Sequence, residues 1–110
     1  MRLLSIKLGE KTYMSGKITT FLTREALKLQ KEALKLGESA KKMLDNINEA
    51  EAQEILDALD GLLCRKVWLV CEAYGNKFTP DDLERALDSE ELDMEVNRII
   101  SAASGVIEKN

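Results

Sequence analysis

Apolar residues return every three or four positions through most of this chain, and the longest such run lies in its middle. Ala52, Ile55, Leu56, Leu59, Leu62, Leu63, Val67, Val70, Ala73 and Tyr74 share one side of a 3.6-residue period. The pattern predicts a long central helix over 49–74. In its first half the opposite side is polar, with Gln53, Glu54, Asp57 and Asp60. In its second half that side changes to Cys64, Trp68 and Cys71, spaced i, i+4, i+7. The helix thus begins with one apolar face and ends with two. The second face needs a cover, from the rest of the chain or from a partner. Trp68, its largest side chain, is expected to be largely buried in the subunit core or in an interface. Lys66 falls inside the main stripe, where an apolar stem can lie while the ammonium reaches water. Asn48 and Glu51 match a capping box at the start, and Gly75-Asn76 suits a left-handed stop at the end. Gly61 inside the helix costs about 1 kcal/mol against Ala and leaves room for a second helix to approach.

Before this helix the period changes twice. Leu4, Ile6 and Leu8 alternate with Ser5 and Lys7, the pattern of a half-buried strand. Gly9-Glu10 fits a two-residue turn with Gly first, and Thr12-Tyr13-Met14 returns as a second strand. A lone hairpin is marginal in water, so it must pack on the helices or pair with another chain. A helix follows, with Thr20 or Thr23 as its cap and Gly37 as its end. Its stripe is Leu22, Ala26, Leu29, Ala33 and Leu36, flanked by Leu27 and Leu34. Lys28, Lys31 and Lys35 point outward, either as a solvated face or as a site for an acidic partner. A further short helix is expected over 38–47, carrying Ala40, Met43, Leu44 and Ile47.

The most explicit local signal is Phe78-Thr79-Pro80-Asp81-Asp82-Leu83. Thr79 serves as N-cap, and Pro80 takes the first helical position, where a missing N–H is no loss. Asp81 and Asp82 favour the positive end of the helix dipole, and Phe78 with Leu83 holds the staple positions. A last helix, capped by Ser89, is expected from Glu90 to about Ile107. Its stripe is Leu92, Val96, Ile99, Ile100, Ala103, Val106 and Ile107, with Met94 on the far side. The fold class is therefore mainly α: a small helical domain over 1–110 with an N-terminal β-hairpin in 1–17 and helices over 20–107.

Composition narrows the function. With 45% hydrophobic and 33% charged residues the chain can fold, but with only 5% aromatics its core is mostly aliphatic. No apolar run is long enough to span a membrane, and the start lacks the features of a signal peptide, so a cytosolic protein without a membrane partner is expected. Cys64 and Cys71 stand about 10.5 Å apart along a helix, beyond the ~7 Å of a disulfide. They are expected to be small buried hydrophobes without redox or metal chemistry.

The net charge of −4 is unevenly spread. Residues 1–45 hold ten Lys/Arg and five Asp/Glu, whereas residues 79–110 hold three and nine. A basic front and an acidic back attract each other within one molecule or between copies. Pairing of like ends is unfavourable, so self-association is expected head to tail, with Lys28, Lys31 and Lys35 near the acidic segment 88–95 of the next copy. The acidic total argues against nucleic acid as a partner. The chain has no His, which removes the commonest general base and metal ligand, and it has no phosphate-binding glycine motif. No enzyme activity, cofactor or metal is expected. Lys28, Lys31, Lys35, Trp68 and Met94 are instead the candidates for partner binding.

The order of segments carries a resemblance. A hairpin ends at Gly16-Lys17-Ile18-Thr19, then come a Leu/Lys-rich helix, an Asn/Glu-rich linker and the long central helix. That helix closes on Tyr74-Gly75-Asn76-Lys77-Phe78-Thr79-Pro80-Asp81-Asp82-Leu83 before a last acidic helix. From about Ile6 to Val106 this resembles the tail assembly chaperones of long-tailed phages. The resemblance implies a small helical protein of the host cytoplasm that coats the tape measure protein and keeps it soluble while the tail tube polymerises. It further implies absence from the mature virion, and a longer frameshifted product that recruits the tube protein. The competing readings are a head–tail or tail component of the virion, and a helical adaptor or regulator.

Overall fold

The computed structural model describes residues 3–43 and 48–104. Two strands, β1 (Ser5–Leu8) and β2 (Lys11–Met14), precede four helices: α1 (Thr20–Met43), α2 (Glu49–Ala73), α3 (Pro80–Ala86) and α4 (Ser89–Ser104). The strands pair antiparallel with Leu8 opposite Lys11, so Gly9-Glu10 is the whole turn. Of these two only Gly9 has a positive φ, 65°, as a turn with Gly first requires. Leu4 and Ile6 are buried and Ser5 and Lys7 exposed, as the alternation demands.

The hairpin finds its cover on the helices. Tyr13 meets Phe78 edge-on, with ring centroids 5.0 Å apart, and Phe78 lies 5.7 Å from Tyr74. The Gly16 N–H donates to the carbonyl of Ala73 at the end of α2, over 3.0 Å. Ser15 is a buried polar residue that the apolar pattern did not reveal. Its Oγ accepts the Leu4 N–H at 2.8 Å and donates to the Gly16 carbonyl at 2.9 Å.

Local stop and start signals act largely as read. Asn48 caps α2, although its side chain accepts from Ala50 rather than from Glu51. Tyr74, Gly75 and Asn76 end it in a Schellman arrangement: Asn76 N–H donates to Cys71 O and Gly75 N–H to Glu72 O. Gly75 and Asn76 have φ of 67° and 57°. Thr79 and Asp82 form a reciprocal capping box at α3, with Pro80 first in the helix. Phe78 and Leu83 are both buried in the core beside it.

Three expectations at helix ends are corrected. Thr19, not Thr20 or Thr23, caps α1, because its Oγ1 accepts the Leu22 N–H and its carbonyl the Thr23 N–H. Asp88, not Ser89, caps α4; its side chain accepts from Glu91 N–H while the Glu91 carboxylate accepts from Asp88 N–H. The expectation of a stop at Gly37 fails, and α1 runs on to Met43. A Gly stops a helix when the chain turns left-handed there, and Gly37 is flanked by good helix formers with no Pro beyond. The separate helix over 38–47 is thus the end of α1, with Leu44 and Ile47 outside the described residues. A Cβ at Gly37 would meet nothing within 4 Å. Gly37→Ala is expected to stabilise the protein by about 1 kcal/mol, read as a rise in urea midpoint at unchanged slope.

The helices share one core. α1 and α2 form an antiparallel pair, tied across by an ion pair between Arg65 and Glu32. α4 lies against both: Lys66 of α2 donates to Asp93 at 2.6 Å, and Gln30 of α1 to Asn97 at 2.8 Å. Lys66 therefore lies at the seam with α4, half-buried, its charge answered by Asp93. Leu29, Leu69, Val70, Tyr74, Leu83 and Ile99 are the most deeply buried large residues. Leu69 was absent from the predicted stripe; it falls between the two expected faces and becomes core because α2 is enclosed on several sides at that level.

Candidate functional site

What the fold leaves uncovered is set by helix length. α2 has 25 residues, α4 only 16 and α3 only 7. The short helices cover the second half of α2, and every buried residue of α2 lies at or after Leu62. Its first half and the second half of α1 extend as a two-helix arm, and the molecule measures 47 × 28 × 23 Å. Leu56, Leu59 and Leu63, expected within the buried stripe, are exposed on this arm, Leu56 by 61%. The strip runs into a cleft of about 250 Å³ between α2 and the α3–α4 corner, floored by Val67, Leu83, Leu87 and Leu92. Asp60, Glu84 and Asp88 stand at its edge. Residues 49–64 carry five acidic side chains and no basic one.

α1 presents a second uncovered apolar line. Leu27 and Leu34 are exposed, Leu34 by 72%, and Arg24, Lys28, Lys31 and Lys35 are exposed around them. The lysines do face outward, as read. Lys28 pairs at 3.2 Å with Glu25 on its own helix. No ion pair among the described residues joins α1 to α3, and none links Lys28, Lys31 or Lys35 to α4.

Trp68 corrects an expectation of burial within the subunit. It is 41% exposed, and its ring meets the edge of exposed Phe21 at 6.1 Å, so one aromatic partner gives it only partial cover. The second apolar face of α2 is thus divided: Cys71 is buried, Trp68 half-covered and Cys64 exposed. Gly61 is not a close-approach point within the chain, since a Cβ there would meet nothing within 4 Å. Met94 is exposed beside a shallow surface cleft with Lys7, Leu87 and Glu91. The structure does not gather the five candidates into one site. The lysines line α1, Trp68 sits at the α1–α2 edge with Phe21, and Met94 lies on α4 near the hairpin. Sequence reasoning missed Phe21 and the strip formed by Leu56, Leu59 and Leu63. Phe21 was readable as an apolar residue beside the α1 stripe.

Chemistry is sparse. Among the described residues no group of three or more Cys, Asp or Glu side chains is placed to hold a metal ion. Burial, with the nearby carboxylates of Glu72, Asp82 and Glu84, pushes the Cys71 thiol up to about 11. Iodoacetamide at pH 8 is therefore expected to modify Cys64 alone in the folded protein and both thiols in urea, as intact mass would show. Burial, then Glu95, pushes the Tyr74 hydroxyl up to about 12, with Arg98 acting in the opposite sense. Both groups hold their protons more tightly when folded. Their contribution is complete below pH 9 and is lost as pH rises through 11 and 12. The Tyr74 Oη is buried with no hydrogen-bond partner among the described residues. Tyr74→Phe is thus expected to be neutral or to stabilise by about 1 kcal/mol, and to soften alkaline unfolding.

The described residues thus present an uncovered aliphatic strip and separate acidic and basic faces. A family model described as phage tail chaperone protein matches residues 3–110. The chain belongs to that family. Neither a curated protein nor a solved structure matches the chain. No helix among the described residues is long and apolar enough to cross a membrane.

Proposed function

We propose that this phage tail chaperone holds the tape measure protein in soluble form while the tail tube assembles around it. The observation that supports this most directly is the aromatic edge that the fold leaves exposed, the pair of Trp68 and Phe21 between α1 and α2. A client that is long and helical presents repeated apolar stripes, and exposed helical faces meet them without needing a deep pocket. The role is non-catalytic and is carried out in the host cytoplasm, and the protein leaves before the virion is complete. Several copies act along one client, associating head to tail, and a longer frameshifted product brings in the tube protein.

In this reading the aromatic pair of Trp68 and Phe21, with Met94, contacts the client, while Lys28, Lys31 and Lys35 face the next copy. Co-expression is the test. The tape measure protein is expected to move from the pellet to the soluble fraction with the wild-type chain and to do so less with Trp68→Ala. Because Trp68 is half-exposed, that variant is expected to stay folded. No movement of the client, with both proteins well expressed, overturns the reading.

A further inference from the structure

We infer that the exposed basic line of α1 on one copy docks on the acidic-edged apolar strip of α2 on a second copy. Leu27 and Leu34 are seven residues apart, about 10.5 Å along the helix, and so are Leu56 and Leu63. Two apolar lines of equal length thus stand on the surface of the same molecule. Their surroundings are of opposite sign. Residues 24–35 hold four basic side chains; Glu25 is engaged by Lys28 and Glu32 by Arg65, which leaves Arg24, Lys31 and Lys35 without an ion pair among the described residues. Residues 49–64 hold acids alone, and Asp57 and Asp60 make no ion pair among the described residues.

This placement differs from a contact on the acidic segment 88–95. There Asp93 is already engaged by Lys66 and Glu95 by Arg98, and Asp88 and Glu91 are engaged in capping each other. On the arm Asp60 stands with Leu63 at the cleft, free of any ion pair among the described residues, and Leu56, Leu59 and Leu63 lack cover. A helix pair of this kind joins apolar burial to charge complementarity, which sets orientation and disfavours like-on-like pairing. The two contact surfaces are different patches, so a pair retains one free line on one copy and one free strip on the other, and further copies can add. The contact rests on the proposed function only for its purpose, since the complementarity belongs to the chain itself.

Two variants test it. Leu34→Asp places a carboxylate in the basic line, and Leu59→Lys places an ammonium in the acidic strip. Both positions are exposed, so folding is expected to persist, with unchanged far-ultraviolet circular dichroism as the check. In sedimentation velocity at low salt the wild-type chain is expected to gain mass with concentration, and to lose it above ~0.15 M salt, where the Debye length falls to ~8 Å. Each variant alone is expected to associate roughly tenfold more weakly, about 1.4 kcal/mol. An equimolar mixture is expected to regain one-to-one pairing, because the intact line of one variant meets the intact strip of the other. A wild-type chain that stays monomeric at millimolar concentration and low salt overturns the inference. So does association that neither variant weakens, or a mixture that does not pair. The same variants in the co-expression assay separate the two readings. A monomeric chain that still solubilises the tape measure protein removes this contact and leaves the proposed function standing. A self-associating chain that fails to solubilise the client does the reverse.

Discussion

Replacing Phe78 by Ala is expected to cost about 3–5 kcal/mol, enough to remove much of the stability of a chain this size. Phe78 is only 5% exposed, although it lies in the short connection between α2 and α3. Its ring is the joint between three elements: Tyr13 of the hairpin on one side, Tyr74 at the end of α2 on another, and Leu83 of α3 in the same core. The edge-on and tilted ring contacts add to the transfer term. Local structure is lost as well, because Phe78 is the residue before the Thr79 cap. Urea denaturation should show the drop in midpoint, and the near-ultraviolet signal of Tyr13 and Tyr74 should weaken even in the folded baseline. A loss below about 1.5 kcal/mol would mean that the hairpin is not held through this ring.

Ser15→Ala is the second large effect, expected at about 1–3 kcal/mol for the removal of one oxygen atom. Ser15 Oγ is the acceptor for the buried Leu4 N–H. Its backbone N–H returns a bond to the Leu4 carbonyl at 2.8 Å, so the two residues close the open end of the hairpin. One residue on, Gly16 donates to Ala73, which joins the same knot to the end of α2. The variant leaves a buried donor unsatisfied, and that penalty exceeds the value of an ordinary hydrogen bond. Amide exchange gives the sharper reading: the Leu4 amide should lose protection selectively, while amides of α2 change only with global stability. Ser15→Ala with full protection at Leu4 would show that this bond does not hold the strand.

The surfaces named as candidates were legible to different degrees. The α1 lysines follow from their spacing alone, because a residue far from the apolar stripe of a helix faces water wherever that helix packs. Trp68 could be placed on a second apolar face of α2 but not assigned a cover, since the residue that meets it, Phe21, lies 47 positions away in the chain. Leu56, Leu59 and Leu63 read as core because they continue the stripe of Val70 and Tyr74 without a break. They are outside it because α4 begins at Ser89, opposite the middle of α2, and has no length left to cover them.

What the sequence determined by itself was local: the Gly9-Glu10 turn, the Asn48 and Thr79 caps, the Gly75-Asn76 stop and the helical periods between them. Each is decided by a few neighbouring residues whose backbone preferences and hydrogen-bonding groups do not depend on the rest of the chain. Gly37 shows the limit of such signals, because a Gly marks an end only where the following chain leaves the helix. Tertiary structure alone decided which apolar faces are core and which are surface. A 3.6-residue period states that a face avoids water, but not what covers it or how far the cover reaches. That depends on the relative lengths and crossing of α1, α2 and α4, and it leaves this chain with an arm whose apolar lines remain uncovered.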